Sequence, residues 1–403
     1  MRDAYVGRLD FAPSACRPCV PSPACKEGVR AWAKRHGDGF FVGKGSALKR
    51  LTFTMPALLQ CVEKHTVPTV IDVGAAMHGQ AGSIKELEKV PFLTTRRGQP
   101  LFHPDDSDAL LMLSVFGERA HVHAFEPNVK AATALEVAAR RRFATRNFTH
   151  RLDVHKVGVG DKWMQTNATA CGRLNRFTVR TEYGVGAEFR GCHRVNVTTL
   201  DAFGAARKKQ LRLLRQEQRQ RGGGGGGDGD GGMLYIKVDV EGGEWAVLDG
   251  AQRLLRTQSI EIMSIEYAVG WHRHFHLARP LTRDERAEVT RPLQKLVARL
   301  YAWGYDTYLL HARSISEGVT LVPIYGRWWH DDFEICFNRS TFYGKWGWGH
   351  SCWNDLLVVR RCNRCVRRVL FEEMLPRTDY RHKARGMPLA PLGAAAFPDC
   401  GCL

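Results

Sequence analysis

The feature that most constrains the fold of this chain is a buried-strand pattern that carries acidic residues at the point where a helix begins. Residues 234–250 read LYIKVDVEGGEWAVLDG, and their apolar residues alternate with Lys237, Asp239 and Glu241. A period of two places these three charges on one face of a strand. The glycine pair that follows permits a tight turn into an amphipathic helix. Because ligands of open α/β sheets bind outside the carboxyl ends of the strands, Asp239 and Glu241 predict a functional site and an enzyme.

The same order of apolar run, turn and helix recurs along the chain. Residues 69–73 form an apolar run that contains Asp72 and leads into the small-residue turn GAAMHG at 74–79. Small residues let a backbone approach a ligand closely, although such a turn also serves packing alone. The run HVHAF at 121–125 ends in Glu126, where a carboxylate can accept both hydroxyls of a ribose. A further strand that passes into a loop is predicted over 154–161, and strands are predicted over 260–267, 305–310 and 355–360, the last one antiparallel.

Six short motifs occur in the order found in the FkbM-type methyltransferases. They are VIDVGA at 70–75, AFEPN at 124–128, VGVGD at 157–161, TLDAF at 199–203, IKVDVEGGEWAVLDGA at 236–251 and SIEY at 264–267. The chain resembles that family over roughly residues 66–360. The resemblance implies an α/β, Rossmann-like class I methyltransferase fold, with a seven-stranded, mostly parallel sheet, one antiparallel strand and helices on both faces. It also implies S-adenosylmethionine as methyl donor and, usually, a hydroxyl oxygen as acceptor.

The resemblance assigns cofactor contacts to particular positions. The implied contacts are Asp72, Gly74, Ala76 and Gly79 on the methionine side, Glu126 at the ribose and Asp161 near the adenine. The turn departs from the family pattern at two places, because His78 stands where a glycine is usual and Ala76 stands where an asparagine is usual. Gly79 follows one place late. We therefore expect altered contacts on the methionine side.

Transfer of a methyl group to an alcohol requires in-line approach of the oxygen and removal of its proton. The resemblance places Asp239 and Glu241 beside the transfer site. The candidates for the proton acceptor are Asp239, Glu241, Glu266 and His272, and Lys237 either orients the acceptor or pairs with Asp239. His272 belongs to the loop WHRHFH at 271–276, which is open to three interpretations: a plain surface loop, a general base or a metal site. We assign no metal ligand.

The length of 403 residues and a hydrophobic fraction of 44% suffice for one large core with extensions. We predict an irregular arm at 1–50, a methyltransferase-like domain at 51–360 and a largely unordered basic tail at 361–403. Two insertions interrupt the domain, at about 90–119 and at 204–232. The first separates Asp72 from Glu126 by 54 residues, and it is either a lid or, as we favour, a surface excursion.

The net charge of +18 does not predict dedicated nucleic-acid binding, because of where the charge lies. Residues 207–221 and 360–385 each carry a net charge of +6, and both lie outside the predicted sheet. General attraction of anions is the expected consequence. The first of these segments leads into six consecutive glycines at 222–227 and is either disordered or a frayed basic helix.

The twelve cysteines leave their chemistry open between metal, disulfide and free thiol. Two Cys-x-x-Cys pairs, at 16–19 and 362–365, have the spacing of a zinc knuckle. Disulfides are the alternative. The candidates for them are Cys16, Cys19, Cys25, Cys400 and Cys402.

Glycosylation sequons favour a secretory lumen such as the Golgi. Four of the eight asparagines, at 147, 167, 196 and 338, are sequon acceptors. The chain shows neither the apolar core of a signal peptide nor an apolar run of transmembrane length, so the cytoplasm is the alternative.

The sequence therefore predicts an O-methyltransferase that acts on a glycan or another small hydroxylated metabolite. Aromatic residues between 328 and 353 either stack on sugar rings or, as we favour, pack on the sheet. The alternatives are an N- or carboxyl-methyltransferase and a degenerate domain that binds without turnover. A dehydrogenase is disfavoured, because Ala76 stands where a dinucleotide fingerprint has its second glycine.

Overall fold

The computed structural model of the protein describes the sheet core and several flanking segments. The described residues are 23–24, 26–27, 55–62, 67–75, 93–94, 100–101, 107–143, 149–171, 178–180, 192–220, 232–240, 242–268, 291–311, 320–334 and 353–370. Their strands are β1 (Thr69–Val73), β2 (Leu93–Thr94), β3 (Pro100–Leu101), β4 (His121–Phe125), β5 (Leu152–His155), β6 (Gly158–Val159), β7 (Met164–Cys171), β8 (Thr178–Arg180), β9 (Cys192–Thr198), β10 (Met233–Val238), β11 (Ile260–Ala268), β12 (Tyr305–His311), β13 (Thr320–Pro323) and β14 (Trp353–Arg360). Their α-helices are α1 (Asp108–Phe116), α2 (Val129–Phe143), α3 (Leu200–Gln220), α4 (Glu244–Asp249), α5 (Gln252–Arg256), α6 (Pro292–Ala302) and α7 (Arg364–Arg368).

The main sheet has eight strands in the order β13-β12-β14-β11-β10-β1-β4-β5. The five strands from β11 to β5 are mutually parallel, whereas β14 runs antiparallel to both of its neighbours. The predicted α/β architecture, a mostly parallel sheet with an antiparallel strand at 355–360, is confirmed. The sheet has eight strands instead of seven because β13 pairs antiparallel with β12 and extends that edge.

The central strands are buried on both faces. All five residues of β1 and all six of β10 are buried. Helix α1 packs against β1 and β4, α2 packs against β5, and α6 packs against β12. The polar residues of the central strands, Asp72 and Lys237 among them, therefore lie in low-dielectric surroundings and require charged or hydrogen-bonding partners.

The predicted insertion at 90–119 contributes a helix to the core. In α1 the side chains of Ala109, Met112 and Leu113 are fully buried. Ser107 begins the helix by accepting a hydrogen bond from the N–H of Ala109 at 3.2 Å. The favoured interpretation of this segment as a surface excursion is therefore wrong for α1, because a helix this apolar is stable only when it is covered.

Two further boundaries differ from the sequence interpretation. The strand predicted at the start of 154–161 is β5 of the main sheet, and the predicted loop after it contains the short strand β6 of a separate sheet of order β6-β9-β7-β8. The segment at 204–220, open between disorder and a helix, is helical as part of α3. The glycine run at 222–227 lies outside the described residues.

The start of the predicted basic tail packs on the core. Val366, Val369 and Leu370 are buried, and a disulfide joins Cys61 to Cys365. Cys362 is disulfide-bonded as well. The zinc-knuckle alternative at 362–365 is therefore wrong, since zinc needs free thiolates. The other predicted disulfide and zinc cysteines, at 16, 19, 25, 400 and 402, lie outside the described residues.

The aromatic region between 328 and 353 is described only in part. Trp328 is buried, and Trp329 is partly buried against the core, so packing is confirmed for these two. Residues 335–352 lie outside the described part. Of the four predicted sequon asparagines, Asn196 is described with its side chain and is exposed. None of the described helices combines the length and the apolar character needed to cross a membrane.

Candidate active site

The carboxyl ends of three adjacent parallel strands bring the main candidates together. Val73 at the end of β1 is in register with Phe125 of β4 and Val238 of β10. Gly74, Glu126 and Asp239 each follow one residue later, so all three lie at the same edge of the sheet. This edge is where open α/β sheets bind their ligands.

The turn after β1 is held tightly against its neighbours. The N–H groups of Gly74 and Ala75 both donate to the carbonyl of Phe125, at 3.0 and 3.1 Å. Gly74 has a φ of +88°, and a Cβ atom there would lie 1.8 Å from the carbonyl oxygen of Asp239. Only glycine fits this position. Ala76 and Gly79, the other predicted residues of this turn, lie outside the described residues.

Three carboxylates surround the ammonium of a buried lysine beneath this edge of the sheet. The Nζ atom of Lys237 lies 3.1 Å from Asp108 Oδ2, 3.2 Å from Asp239 Oδ2 and 3.5 Å from Asp72 Oδ1. We call these four residues the lysine cluster. Of the two predicted roles of Lys237, pairing with Asp239 is confirmed, and Asp72 and Asp108 share the ammonium.

The electrostatics of the lysine cluster follow from burial and from an excess of acid. Burial raises the pKa of Asp72 to about 6, although the nearby Lys237 ammonium acts in the opposite direction. Burial alone would lower the pKa of Lys237, but Asp239, Asp72 and Asp108 outweigh it and hold that pKa well above its ordinary value. Lys237 therefore stays protonated and cannot act as a base. When all three acids are ionised the cluster carries a surplus of negative charge, which favours a cationic ligand.

Glu126 is a buried carboxyl at the tip of β4. One of its oxygens, Oε1, accepts the N–H of Asn128 at 2.7 Å, and its own N–H donates to the carbonyl of His155 at 3.0 Å. Asn128 in turn starts α2 by accepting from the N–H of Lys130. Burial raises the pKa of Glu126 to about 7, and the bond from Asn128 lowers it in part. The carboxyl therefore holds its proton more strongly than an exposed glutamic acid does.

Glu244 holds the turn between β10 and α4. Its Oε1 atom accepts the N–H groups of Val240 and Gly242, each at 3.0 Å. The side chain is fully buried, and burial raises its pKa to about 7. The sequence interpretation placed the start of the helix at Glu244 but gave the side chain no role. The signal in the sequence is that Glu244 directly follows the glycine pair, because a carboxylate at a helix start can accept N–H groups of the turn before it.

Asp108 is the member of the lysine cluster that sequence reasoning missed. It lies in α1, inside the segment interpreted as an insertion. Ser107 Oγ also donates to the carbonyl of Ala75 at 3.3 Å, so this helix start supports the turn after β1. The available signal was Ser107 directly before an apolar run, which is typical of a helix start. Nothing in the sequence indicates that this helix lies beside Lys237.

The remaining predicted site residues differ in where they lie relative to this edge of the sheet. Glu266 is buried in β11, one residue beyond Ile265, which is in register with Val238 of β10. It therefore lies level with Asp239. Asp161 is exposed and follows β6 of the smaller sheet. Glu241 and His272 lie outside the described residues.

Comparison with protein families gives a match that covers most of this site. Residues 102–284 match the model of the methyltransferase FkbM domain. The resemblance to the FkbM-type methyltransferases is confirmed. The match begins after β1 and includes Asp108, Glu126, Lys237, Asp239 and Glu266, and it supports a methyltransferase.

A crystal structure of methyltransferase FkbM from Methylobacillus flagellatus KT is similar to the chain at 15% identity, with a TM-score of 0.31. The similarity covers 62% of this chain and 41% of that chain, so this chain spans less than half of that relative. Comparison with curated proteins gives no match.

Proposed function

We propose that the protein is an S-adenosylmethionine-dependent O-methyltransferase that acts on a hydroxyl group of a glycan or another small hydroxylated metabolite. The observation that carries this proposal is the convergence of Gly74, Glu126 and Asp239 at the ends of three adjacent parallel strands. The FkbM domain match over residues 102–284 supports the reaction class.

The described residues fit the chemical groups of this cofactor. The Glu126 carboxyl stands at the strand tip where a ribose binds in open α/β sheets, and among the described residues its Oε1 atom accepts from one backbone group, the N–H of Asn128. The surplus of acid around Lys237 complements a sulfonium, which carries a positive charge. Under this proposal Asp72, Gly74, Ala76 and Gly79 surround the methionine part, and Asp161 lies near the adenine.

The cofactor, when bound, supplies an electrophilic methyl group on sulfur. The chain must then hold the acceptor oxygen in line with that methyl and take the hydroxyl proton as the oxygen–carbon bond forms. Asp239 is the best-placed described acceptor for this proton, because its side chain is 19% exposed whereas Asp72 is fully buried. Lys237 acts as a positioning residue that holds the Asp239 carboxylate. Glu241, Glu266 and His272 are the other candidates for the base.

The compartment is part of the proposal. The disulfide between Cys61 and Cys365 favours an oxidising environment, since disulfides persist in secretory lumina and are rare in the cytosol. The exposed sequon at Asn196 favours the same compartment. A secretory lumen such as the Golgi suits an enzyme whose acceptor is a glycan.

The test is calorimetric titration of the full chain with S-adenosylmethionine and, separately, with NAD. We expect micromolar affinity for S-adenosylmethionine and no binding of NAD. Glu126→Gln keeps the size of the side chain and an acceptor for Asn128, so it should weaken binding roughly 10- to 100-fold through loss of the charged acceptor alone. Glu136→Gln, on the outer part of α2, is the matched control and should bind normally. Equal affinity of the Glu126 variant and the control would contradict the assignment of the ribose site.

Methyl transfer is tested separately, by offering labelled cofactor with sugar, lipid and polyketide acceptors and identifying the methylated atom. Label on a sugar oxygen supports the proposal, whereas label on nitrogen or on a carboxyl group would replace it with one of the alternatives. The altered turn at Ala76 and His78 favours a second candidate, a degenerate domain that binds without turnover. Cofactor binding with no incorporation into any acceptor class would support that candidate.

A further inference from the structure

Three imidazoles and one carboxylate meet on one face of β4 and β5, away from the lysine cluster. His121 and His123 alternate along β4, and Asp153 and His155 alternate along β5, in register with it. His121 Nε2 lies 2.9 Å from Asp153 Oδ2, and His123 Nδ1 lies 3.4 Å from the same oxygen. His123 Nδ1 lies 3.1 Å from His155 Nε2. We call these four residues the histidine cluster.

Packing fixes the orientation of the imidazole rings. The rings of His121 and His123 are stacked with centroids 4.7 Å apart, and the edge of Phe203 from α3 lies against His123 at 4.9 Å. His155 is stacked on Phe125 at 4.5 Å. The Nε2 atom of His123 is buried and has no hydrogen-bond partner among the described residues. The polar contacts of that ring therefore all converge on its Nδ1 side.

Hydrogen bonds account for only part of this convergence. His121 Nε2 bonds to Asp153 Oδ2 at 2.9 Å and His123 Nδ1 bonds to His155 Nε2 at 3.1 Å, whereas the 3.4 Å approach of His123 Nδ1 to the same Asp153 oxygen is not one of these hydrogen bonds. A metal ion would use all three of His121 Nε2, His123 Nδ1 and Asp153 Oδ2, because it accepts an electron pair from each. Donor atoms that surround zinc tetrahedrally at about 2.0–2.2 Å lie roughly 3.3–3.6 Å apart. The separations between the ring nitrogens and Asp153 Oδ2 are 3.4 Å for His123, inside that range, and 2.9 Å for His121, just below it.

Charged side chains near the cluster act on a bound cation in both directions. Arg207 and Arg151 act on the same cluster and oppose a cation, whereas Asp153 attracts one. A cavity of about 400 Å³ is lined by residues that include Asp153 and His155.

We propose that His121 Nε2, His123 Nδ1 and Asp153 Oδ2 bind a divalent transition-metal ion of the zinc type. Two nitrogens and one oxygen form a donor set that zinc accepts, and these atoms lie within 4.8 Å of one another. The ion would tie the edge strand β5 to β4. Because the carbonyl of His155 accepts the N–H of Glu126, this tie lies directly beneath the candidate ribose site.

The test is titration of the chelator-treated full chain with Zn²⁺ by calorimetry and with Co²⁺ by visible absorption, together with thermal unfolding. The variants are Asp153→Asn and His121→Gln, both of which alter side chains at least partly exposed to solvent. The control is His150→Gln, an exposed histidine three residues before Asp153. We expect the wild type and the control to bind one equivalent that raises the Tm and gives the intense absorption of a four-coordinate Co²⁺ site. Both variants should bind that equivalent at least about 100-fold more weakly and lose the Tm rise.

Two outcomes would overturn the proposal. The first is the absence of any stoichiometric equivalent in the wild type, which would leave the cluster as a hydrogen-bonded core element. The second is an equivalent that persists in both variants, which would place the metal elsewhere, for example on the histidine loop at 271–276. A triple His272→Gln, His274→Gln, His276→Gln variant separates these sites, because it should keep the equivalent that we assign to β4 and β5.

Discussion

Two buried ion networks lie in the same sheet and differ in their balance of charge. In the lysine cluster one ammonium, Lys237, is shared by Asp72 and Asp239 near the carboxyl ends of two parallel strands and by Asp108 of α1. Around Asp306 in β12 the balance is reversed. There Arg361 Nε donates to Oδ1 at 2.7 Å and Arg367 donates to Oδ2, so one carboxylate is shared by two guanidinium groups.

The difference separates a structural network from a functional candidate. Each oxygen of Asp306 has its own guanidinium, and the two arginines tie the α7 region to β12, so the network is complete without a ligand. In the lysine cluster one ammonium faces three acids among the described residues, and burial raises the pKa of Asp72 to about 6. A buried acid with a raised pKa near a strand end is typical of a binding site.

The largest expected effect is that of Lys237→Met. This variant removes the only cation that the lysine cluster contains and leaves three carboxylates together, at a cost of about 3–5 kcal/mol in the free energy of unfolding. Urea denaturation measures it, with the exposed Lys130→Met as the matched control. A loss below about 1 kcal/mol would show that the acids do not depend on Lys237 and would remove the basis of the comparison.

The second largest effect is expected for Asp306→Asn, which should lower the free energy of unfolding by about 2–3 kcal/mol. The cost is smaller because both arginines are partly exposed and water solvates them once the carboxylate is gone. Calorimetry should show that this variant has an unchanged affinity for S-adenosylmethionine, in contrast to variants of the lysine cluster. Loss of cofactor binding in this variant would mean that the two networks are not separate in function.

Glu126→Gln tests how the buried carboxyl of Glu126 makes the stability of the fold depend on pH. The pKa of Glu126 rises from 4.5 to about 7 in the folded chain, so the folded state binds more protons than the unfolded chain between these values. Stability should therefore fall as the pH rises from about 4.5 to 7, and the full penalty remains above pH 7. The glutamine variant should match the wild type at pH 4.5 and exceed it by roughly 1–2 kcal/mol at pH 8 without cofactor. Denaturation at the two pH values measures this, and a lower stability of the variant at pH 8 would contradict it.

The smallest effect is expected at an ion pair that faces water. Lys156 Nζ lies 3.1 Å from Glu136 Oε2, and both side chains are partly exposed. A double-mutant cycle of Lys156→Met and Glu136→Gln should give a coupling below about 0.5 kcal/mol, because solvent screens the pair. A coupling above about 1 kcal/mol would show that burial does not explain the rank order of the other variants.

Much of the fold and part of the site could be predicted from the sequence. The alternation at 234–240 predicted β10 and the placement of Asp239 at its end, and the run at 121–125 placed Glu126 at the tip of β4. These predictions succeed because a period of two and the end of an apolar run are local properties. Asp108 escaped prediction because it reaches Lys237 only through the packing of α1 on β1 and β4.

The sequence by itself determined the main strands of the large sheet and that Asp239 and Glu126 stand at strand ends, since spacing and side-chain polarity are written along the chain. Only the tertiary structure decided which charges share a partner. It brings Asp108 to Lys237 across 129 residues and joins Cys61 to Cys365 across 304, and it aligns His121 with Asp153. The physical reason is that ion pairs, disulfides and metal ligands depend on distances of 2 to 4 Å in space, which separation along the chain does not fix.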